Sequence, residues 1–333
     1  MMTTQSRDRA GSVEEVPSGS AGGVCVVGSI NVDEIVVVPR HPLPGETLLA
    51  TSSTVAPGGK GANQAVAAAR LGARVGMIGA VGDDGRARTA LSLLAGAGVD
   101  LTDVVPVDGP TGIARITVDD VGENTIIVVP GANARVDDAL VAARSASIAR
   151  AAVVVLQGEI PVDASACAAR LATGRVLLNL APVIGVPGDL LQAADPLVVN
   201  EHEARLLLAD VAGRTDPDAD DGRIAVLLQE QGARSVVLTL GARGALCVDD
   251  DGVTTIASPR VDAVDTSGAG DAFVGALAMR LADGDELRTA VRFAVRVGAF
   301  AVGSAGTQPS YPWAGDELPS AAAENLPLRT EVL

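Results

Sequence analysis

The chain has 333 residues, 48% of them hydrophobic and 20% charged, a globular composition long enough for one large α/β domain or two smaller ones. With 25 basic against 41 acidic residues the net charge is −16, which speaks against a nucleic-acid backbone or an anionic membrane surface as partner. Aromatics at 2% leave no base-stacking platform, and two histidines, His41 and His202, exclude a His-rich metal site.

Residues 1–22 are polar, rich in Ser and Gly and without an apolar stretch, so they read as a disordered leader and not as a signal peptide. GVCVVGS (residues 23–29) is a valine-rich run that reads as a buried parallel strand. DEIVVV and TLLATSSTV have strand composition and flank a Pro-rich turn. GANQAVAAARLGARV reads as a helix ended by Gly72, VGMIGAVG as a second buried strand and DDGRARTALSLLAGAGV as a helix. TGIARITVDDVGENTIIVVPGAN alternates and turns at DDVGEN, the pattern of a β-hairpin.

From there strands and helices alternate. The strands are AAVVVLQ, RVLLNLAP, PLVVN, SVVLTLG and GALCVDD. The helices are PVDASACAARLAT, EHEARLLLAD, GRIAVLLQEQG, AFVGALAMRLADG and ELRTAVRFAVRVGAFAVGSAG. This rhythm implies a mostly parallel sheet with helices on both faces. The strand-rich pieces, about 32–56 and 111–130, are expected to form a small inserted sheet. Cys25, Cys167 and Cys247 are odd in number, widely spaced and set in apolar runs, as reduced thiols of a cytosolic protein would be. No apolar run approaches the ~20 residues of a membrane span. The acidic stretch 214–223 lacks the Gly and Glu of a calcium loop, with Asp221 and Leu227 at those places, and reads as a loop that caps the next helix.

Four groups of residues carry chemistry. In VDTSGAGDAF, Gly268 and Gly270 bracket a turn before a helix, whose converging N–H groups and dipole make an anion hole with Asp271 at its mouth. A carboxylate there can accept a proton from a hydroxyl. In APGGKGANQ, Lys60 is the only lysine in the chain and lies among Gly58, Gly59 and Gly61, with Asn63 close by. It is not a Walker A loop, since no Ser or Thr follows the lysine. Asn31 and Asp33 follow the first strand two residues apart and so point the same way. Glu159, Asn200 and Glu203 follow later strands, and the last two, one helical turn apart, could share a hydrated Mg²⁺. Ligands of open α/β sheets sit at the carboxyl ends of strands, where all four groups fall.

GGKGAN followed by DTSGAGD resembles the paired signature of the ribokinase-like (PfkB) sugar kinases. GSINVD, PLPGET, GENTIIVVPGAN, LQGE, NEHEA, TLGARG and GTQPS extend the likeness in order over residues 24–312. The resemblance implies a three-layer α/β/α fold with a mostly parallel central sheet and a small β-sheet lid, spanning residues 23–320 and followed by a tail at 321–333. It implies ATP-dependent phosphorylation of D-ribose at the 5-hydroxyl. Asn31, Asp33, Gly59, Lys60, Asn63 and Glu159 would then hold the sugar, Asp271 would be the base, and the backbone at Gly268, Ala269 and Gly270 would stabilise the transferring phosphoryl group. Thr239, Gly241, Ala242, Arg243, Gly244 and Asn200 would contact ATP, with Glu203 helping to place Mg²⁺. Val295 stands where relatives carry Asn or His near the adenine. A K⁺ activator would lie among Asp265, Ser267, Ala301, Ser304, Gly306 and Ser310. A homodimer paired through the lids is implied as well. Two rivals remain: a kinase of the same family for 2-deoxyribose, another sugar or a nucleoside, and a non-catalytic sugar-binding regulator.

Overall fold

The computed structural model describes residues 22–213 and 218–320. The expected leader, apart from Gly22, and the tail lie outside the described residues, as does Asp216 of the acidic loop. The strands are β1 (Val24–Val27), β2 (Asn31–Val37), β3 (Ser52–Gly58), β4 (Val75–Gly82), β5 (Val104–Val107), β6 (Gly112–Val118), β7 (Asn124–Val129), β8 (Val153–Gln157), β9 (Arg175–Asn179), β10 (Ala194–Asn200), β11 (Val236–Thr239), β12 (Ala245–Asp249) and β13 (Gly252–Ile256). The helices are α1 (Lys60–Arg70), α2 (Arg86–Gly96), α3 (Asp138–Ala142), α4 (Ser145–Arg150), α5 (Val162–Leu171), α6 (Gly188–Ala193), α7 (Glu201–Ala212), α8 (Asp221–Glu230), α9 (Ala269–Ala282) and α10 (Leu287–Ala301).

Nine strands form the main sheet in the order β13-β12-β11-β10-β9-β8-β1-β4-β5, parallel except that β12 runs antiparallel to both of its neighbours, β11 and β13, at one edge. Successive side chains of a strand face opposite ways. Val24 and Val26 of β1 therefore join one core with α1, α9 and α10, while Cys25 and Val27 join the other with α5, α7 and α8. This is why the strand reads as an unbroken apolar run: both of its faces are covered. Cys25 and Cys247 are buried, and burial pushes their thiols up to about 12 and about 11. Among the described residues no helix is long and apolar enough to cross a membrane.

The two strand-rich pieces come together as a second, four-stranded sheet, β3-β2-β6-β7. The β6–β7 hairpin is as expected, and β2 runs parallel to β6. The third strand departs from the sequence reading. It begins at Ser52, not in TLLA, because its bounds follow its pairing with β2, from Val37↔Ser52 to Asn31↔Gly58. Pro57 is tolerated there because β3 is an edge strand. Strands β5 and β13 and the short helices α3, α4 and α6 had no clear periodic signal in the sequence. Asp220 caps α8 by accepting from Arg223 N–H, as the loop reading required.

The site depends on the close approach of α1 and α9. A Cβ at Gly275 of α9 would stand 2.6 Å from both the Ala67 Cβ and the Gln64 carbonyl of α1. Small residues along this seam let the two helices pack with their N-termini side by side.

Candidate active site

The second sheet joins the body where its strands meet the carboxyl ends of the central ones. Strand β2 leaves β1 through Ser29 and Ile30, and β3 enters α1 through Gly59, the N-cap of that helix. Asn31, Asp33 and Lys60 therefore fall at this junction, with Asn31 and Asp33 buried and Lys60 half-buried. Glu159 follows β8, Asn179 ends β9, Asn200 ends β10 and Thr239 ends β11.

Asp271 lies in the first turn of α9, with 6% of its surface exposed. One oxygen accepts from Asn63 Nδ2 at 2.9 Å and the other from Gln64 Nε2 at 2.9 Å. Asn63 Oδ1 in turn accepts from Gln308 Nε2 at 2.8 Å. The sequence reading had Gly268 and Gly270 bracketing a turn ahead of the helix. In the structure Gly268 is the N-cap, at φ 71°, and Gly270 already belongs to the helix. A left-handed cap favours glycine, and here a Cβ would also meet Thr307 Cγ2 at 2.2 Å and the Tyr311 hydroxyl at 2.6 Å. No side chain caps this turn. Ala269 N–H donates to the Thr266 carbonyl at 3.3 Å, and the other N–H groups of the first turn have no intrahelical partners, the arrangement that suits an anion.

Charge in the crevice is uneven. Asp271, Glu159 and Glu203 all act on Lys60, and Asp271, the strongest influence, holds the ammonium above its ordinary value against the opposing effect of burial. Burial pushes Asp33 up to about 7, and the charges of Glu159 and Asp271 add to it. Burial also raises Glu203. Glu159 accepts from the Ser29 hydroxyl at 2.5 Å and from the Lys60 backbone N–H at 3.1 Å, which ties β1, β8 and α1 together. Asn31 Oδ1 accepts from Asn133 Nδ2 at 2.7 Å, so its N–H₂ group is not used by that bond.

Asn200 and Glu203 form a capping box on α7: Asn200 Oδ1 accepts from Glu203 N–H and Glu203 Oε2 from Asn200 N–H. Helix capping thus uses part of each side chain that was read as a metal contact, and leaves Glu203 Oε1 over. Gly241–Arg243 make a 3-10 turn beyond β11, next to Gly244, with Ala242 exposed and the Arg243 guanidinium bound to Glu201 and Asp221. Val295 is 5% exposed and belongs to the apolar core, so it offers no polar contact.

Asp265 accepts from Ser267 N–H at 2.8 Å and Gly306 N–H at 2.9 Å, tying the loop before α9 to the loop after α10. Burial raises this carboxyl, but those hydrogen bonds outweigh it and hold the group below the usual carboxylate range. Ala301 ends α10, Ser304 is exposed, and buried Ser310 donates to the Thr307 carbonyl. Among the described residues no three His, Cys, Asp or Glu side chains are grouped to hold a metal. A carbonyl-lined site for a monovalent ion needs no such group.

Several residues of this network were not singled out from the sequence: Ser29, Gln64, Asn133, Asn179, Gln308 and Tyr311. Each is a polar side chain inside or beside an otherwise apolar element, which is the one local signal they give. Tyr311 is 2% exposed and donates to the Gly268 carbonyl at 3.0 Å, and Arg70 holds the Gln308 and Tyr311 carbonyls.

The pfkB family carbohydrate kinase model matches residues 22–314. A ribokinase of Schizosaccharomyces pombe is 36% identical over 300 residues, which cover 87% of this chain and 94% of that protein. A deoxyribokinase of Salmonella typhi is 35% identical over 296 residues, 87% and 95% of the two chains. The structure of Arabidopsis thaliana ribokinase complexed with ribose and ATP superimposes with a TM-score of 0.78 at 30% identity, covering 88% of this chain and 96% of that one. With its fold and nearly its whole length in common with these proteins, the chain belongs to the pfkB family of carbohydrate kinases.

Proposed function

We propose that the protein transfers the γ-phosphoryl group of ATP to the 5-hydroxyl of D-ribose. The observation that carries this is Asp271: a buried carboxylate gripped by two amides at the uncapped N-terminus of α9. Phosphoryl transfer needs in-line positioning, charge neutralisation and an acceptor for the hydroxyl proton. Asp271 takes the proton of the 5-hydroxyl, and the N–H groups at Gly268, Ala269 and Gly270 receive the negative charge of the transferring group. Asn31, Asp33, Gly59, Lys60, Asn63 and Glu159 hold the sugar. Thr239, Gly241–Gly244 and Asn200 receive the nucleotide.

The crevice brings Glu159, Glu203 and Asp271 around Lys60, with Asp33 beside two of them, so a bare triphosphate would be repelled by the carboxylates. Mg²⁺ bound with ATP would suit this surplus and would supply the charge that neutralises the phosphates. Glu203 Oε1, unused by the capping box, would reach it, directly or through water. K⁺ would stand beside Asp265 with oxygens from Ser267, Ala301, Ser304, Gly306 and Ser310. The second sheet would close over the sugar and exclude water. Its β7 edge leaves Ile126, Ile127, Val128 and Val129 between 41% and 63% exposed, an apolar edge that a second copy of the chain would cover in a homodimer.

A coupled ADP-release assay over ribose, 2-deoxyribose and a nucleoside tests the reading. Asp271→Asn should bind ribose and ATP while kcat falls ~10²–10⁴-fold. Retention of more than about a third of wild-type activity removes the base assignment. A 2-deoxyribose kinase is the second reading, since similarity to a deoxyribokinase is nearly as high as to ribokinases. Ribose should be preferred by about 10–100-fold in kcat/KM, through the two hydroxyls Asp33 can accept from. Equal use of both sugars favours the second reading.

A further inference from the structure

We propose that Gln64 is a positioning residue for Asp271, and that Asn179 and the main chain of β10 determine which end of its amide meets the carboxylate. An amide side chain has nearly the same shape at its two ends but opposite polarity. If Gln64 faced Asp271 with its oxygen, two lone-pair-bearing atoms would meet in a dry site. The surrounding bonds exclude that orientation. The Val198 carbonyl can only accept, and it takes an N–H from Asn179 Nδ2 at 3.0 Å. Asn179 Oδ1 is thereby turned towards Gln64 and accepts from Gln64 Nε2 at 2.9 Å. The second N–H on the same nitrogen is left for Asp271 Oδ1. Gln157 Nε2 closes the arrangement by donating to Gln64 Oε1 at 2.9 Å.

Gln64 and Gln157 are each 1% exposed and Asn179 is 8% exposed, so water does not substitute for a lost partner. The polarity of the chain runs one way, from a sheet carbonyl to the carboxylate. Asp271 is thereby kept in the orientation in which its remaining lone pairs face the crevice, even before substrate enters. Asn179 touches neither end of the reaction, yet its amide decides what Asp271 receives. The inference rests on the reading of Asp271 as the base.

The test measures single-turnover rate, ribose KM, pH profile and melting temperature for Gln64→Leu, Asn179→Leu, Gln64→Glu and Asp271→Asn in the full chain. Gln64→Leu and Asn179→Leu should each lower the rate roughly 10–100-fold with ribose KM changed less than about 3-fold. Gln64→Glu keeps the shape, but its carboxyl can donate only while protonated. Its rate should therefore fall as pH rises. A Gln64→Leu rate within about twofold of wild type overturns the proposal. So does a Gln64→Glu profile that follows wild type, and this arm decides alone if Gln64→Leu does not fold. If Asp271→Asn stays active, the base reading falls and the relay with it. If Asp271→Asn is inactive while Gln64→Leu is not impaired, the relay alone is wrong.

Discussion

Asp33 lies on β2 with 8% of its surface exposed, and burial together with the charges of Glu159 and Asp271 pushes its carboxyl up to about 7. Near neutrality the free protein therefore holds this group about half protonated. If its role is to accept from two sugar hydroxyls, only the ionised form serves fully, because a protonated carboxyl gives up acceptor capacity to its own proton. The ionised fraction is about nine-tenths near pH 8 and about one-tenth near pH 6. The Kd for ribose, measured by titration calorimetry without nucleotide, should then rise about tenfold from the higher to the lower pH. Binding near pH 7 should release about half a proton, read from the dependence of the heat on the buffer's ionisation enthalpy.

The same shift acts on stability in the opposite direction. A carboxyl whose folded value is raised stabilises the fold below its unfolded value and loses that contribution as pH rises through about 7. The full shift corresponds to at most about 4 kcal/mol, so Asp33→Asn should melt higher than wild type near pH 8 while binding ribose poorly and without pH dependence. A wild-type Kd that stays constant within about twofold between pH 6 and pH 8 would refute the argument.

Activity is expected to rise in K⁺ over Na⁺ or tetramethylammonium at matched ionic strength, and Asp265→Ala should abolish the difference; equal rates in the three salts would remove the cation site. Gly268→Ala should lower stability by about 1–3 kcal/mol and depress kcat, because φ 71° is strained for alanine and its Cβ would stand 2.2 Å from Thr307 Cγ2. A normal melting temperature would show that the turn relaxes freely. Ile127→Lys on β7 should shift the mass measured by sedimentation from dimer to monomer with the fold intact, and an unchanged mass would place the interface elsewhere.

Much of the architecture was legible because it depends on short-range rules. Both faces of β1 are covered, so valine fills it. Asp220 and Asn200 announce helix starts because a cap bonds an N–H only a few residues away. GGKGAN and DTSGAGD mark the two helix N-termini that frame the crevice. The sequence could not place the start of β3, since its bounds follow pairing with β2. Nor could it find Gln64, Asn179, Gln308 or Tyr311 as parts of one site. Asn63 and Gln64 meet Asp271 across 208 and 207 residues of chain, and no local pattern encodes a contact that forms only when α1 and α9 pack. The raised carboxyl of Asp33 has the same origin: its type and spacing are local, but the burial and the two neighbouring charges that set its proton affinity come from β8 and α9, brought beside it by folding.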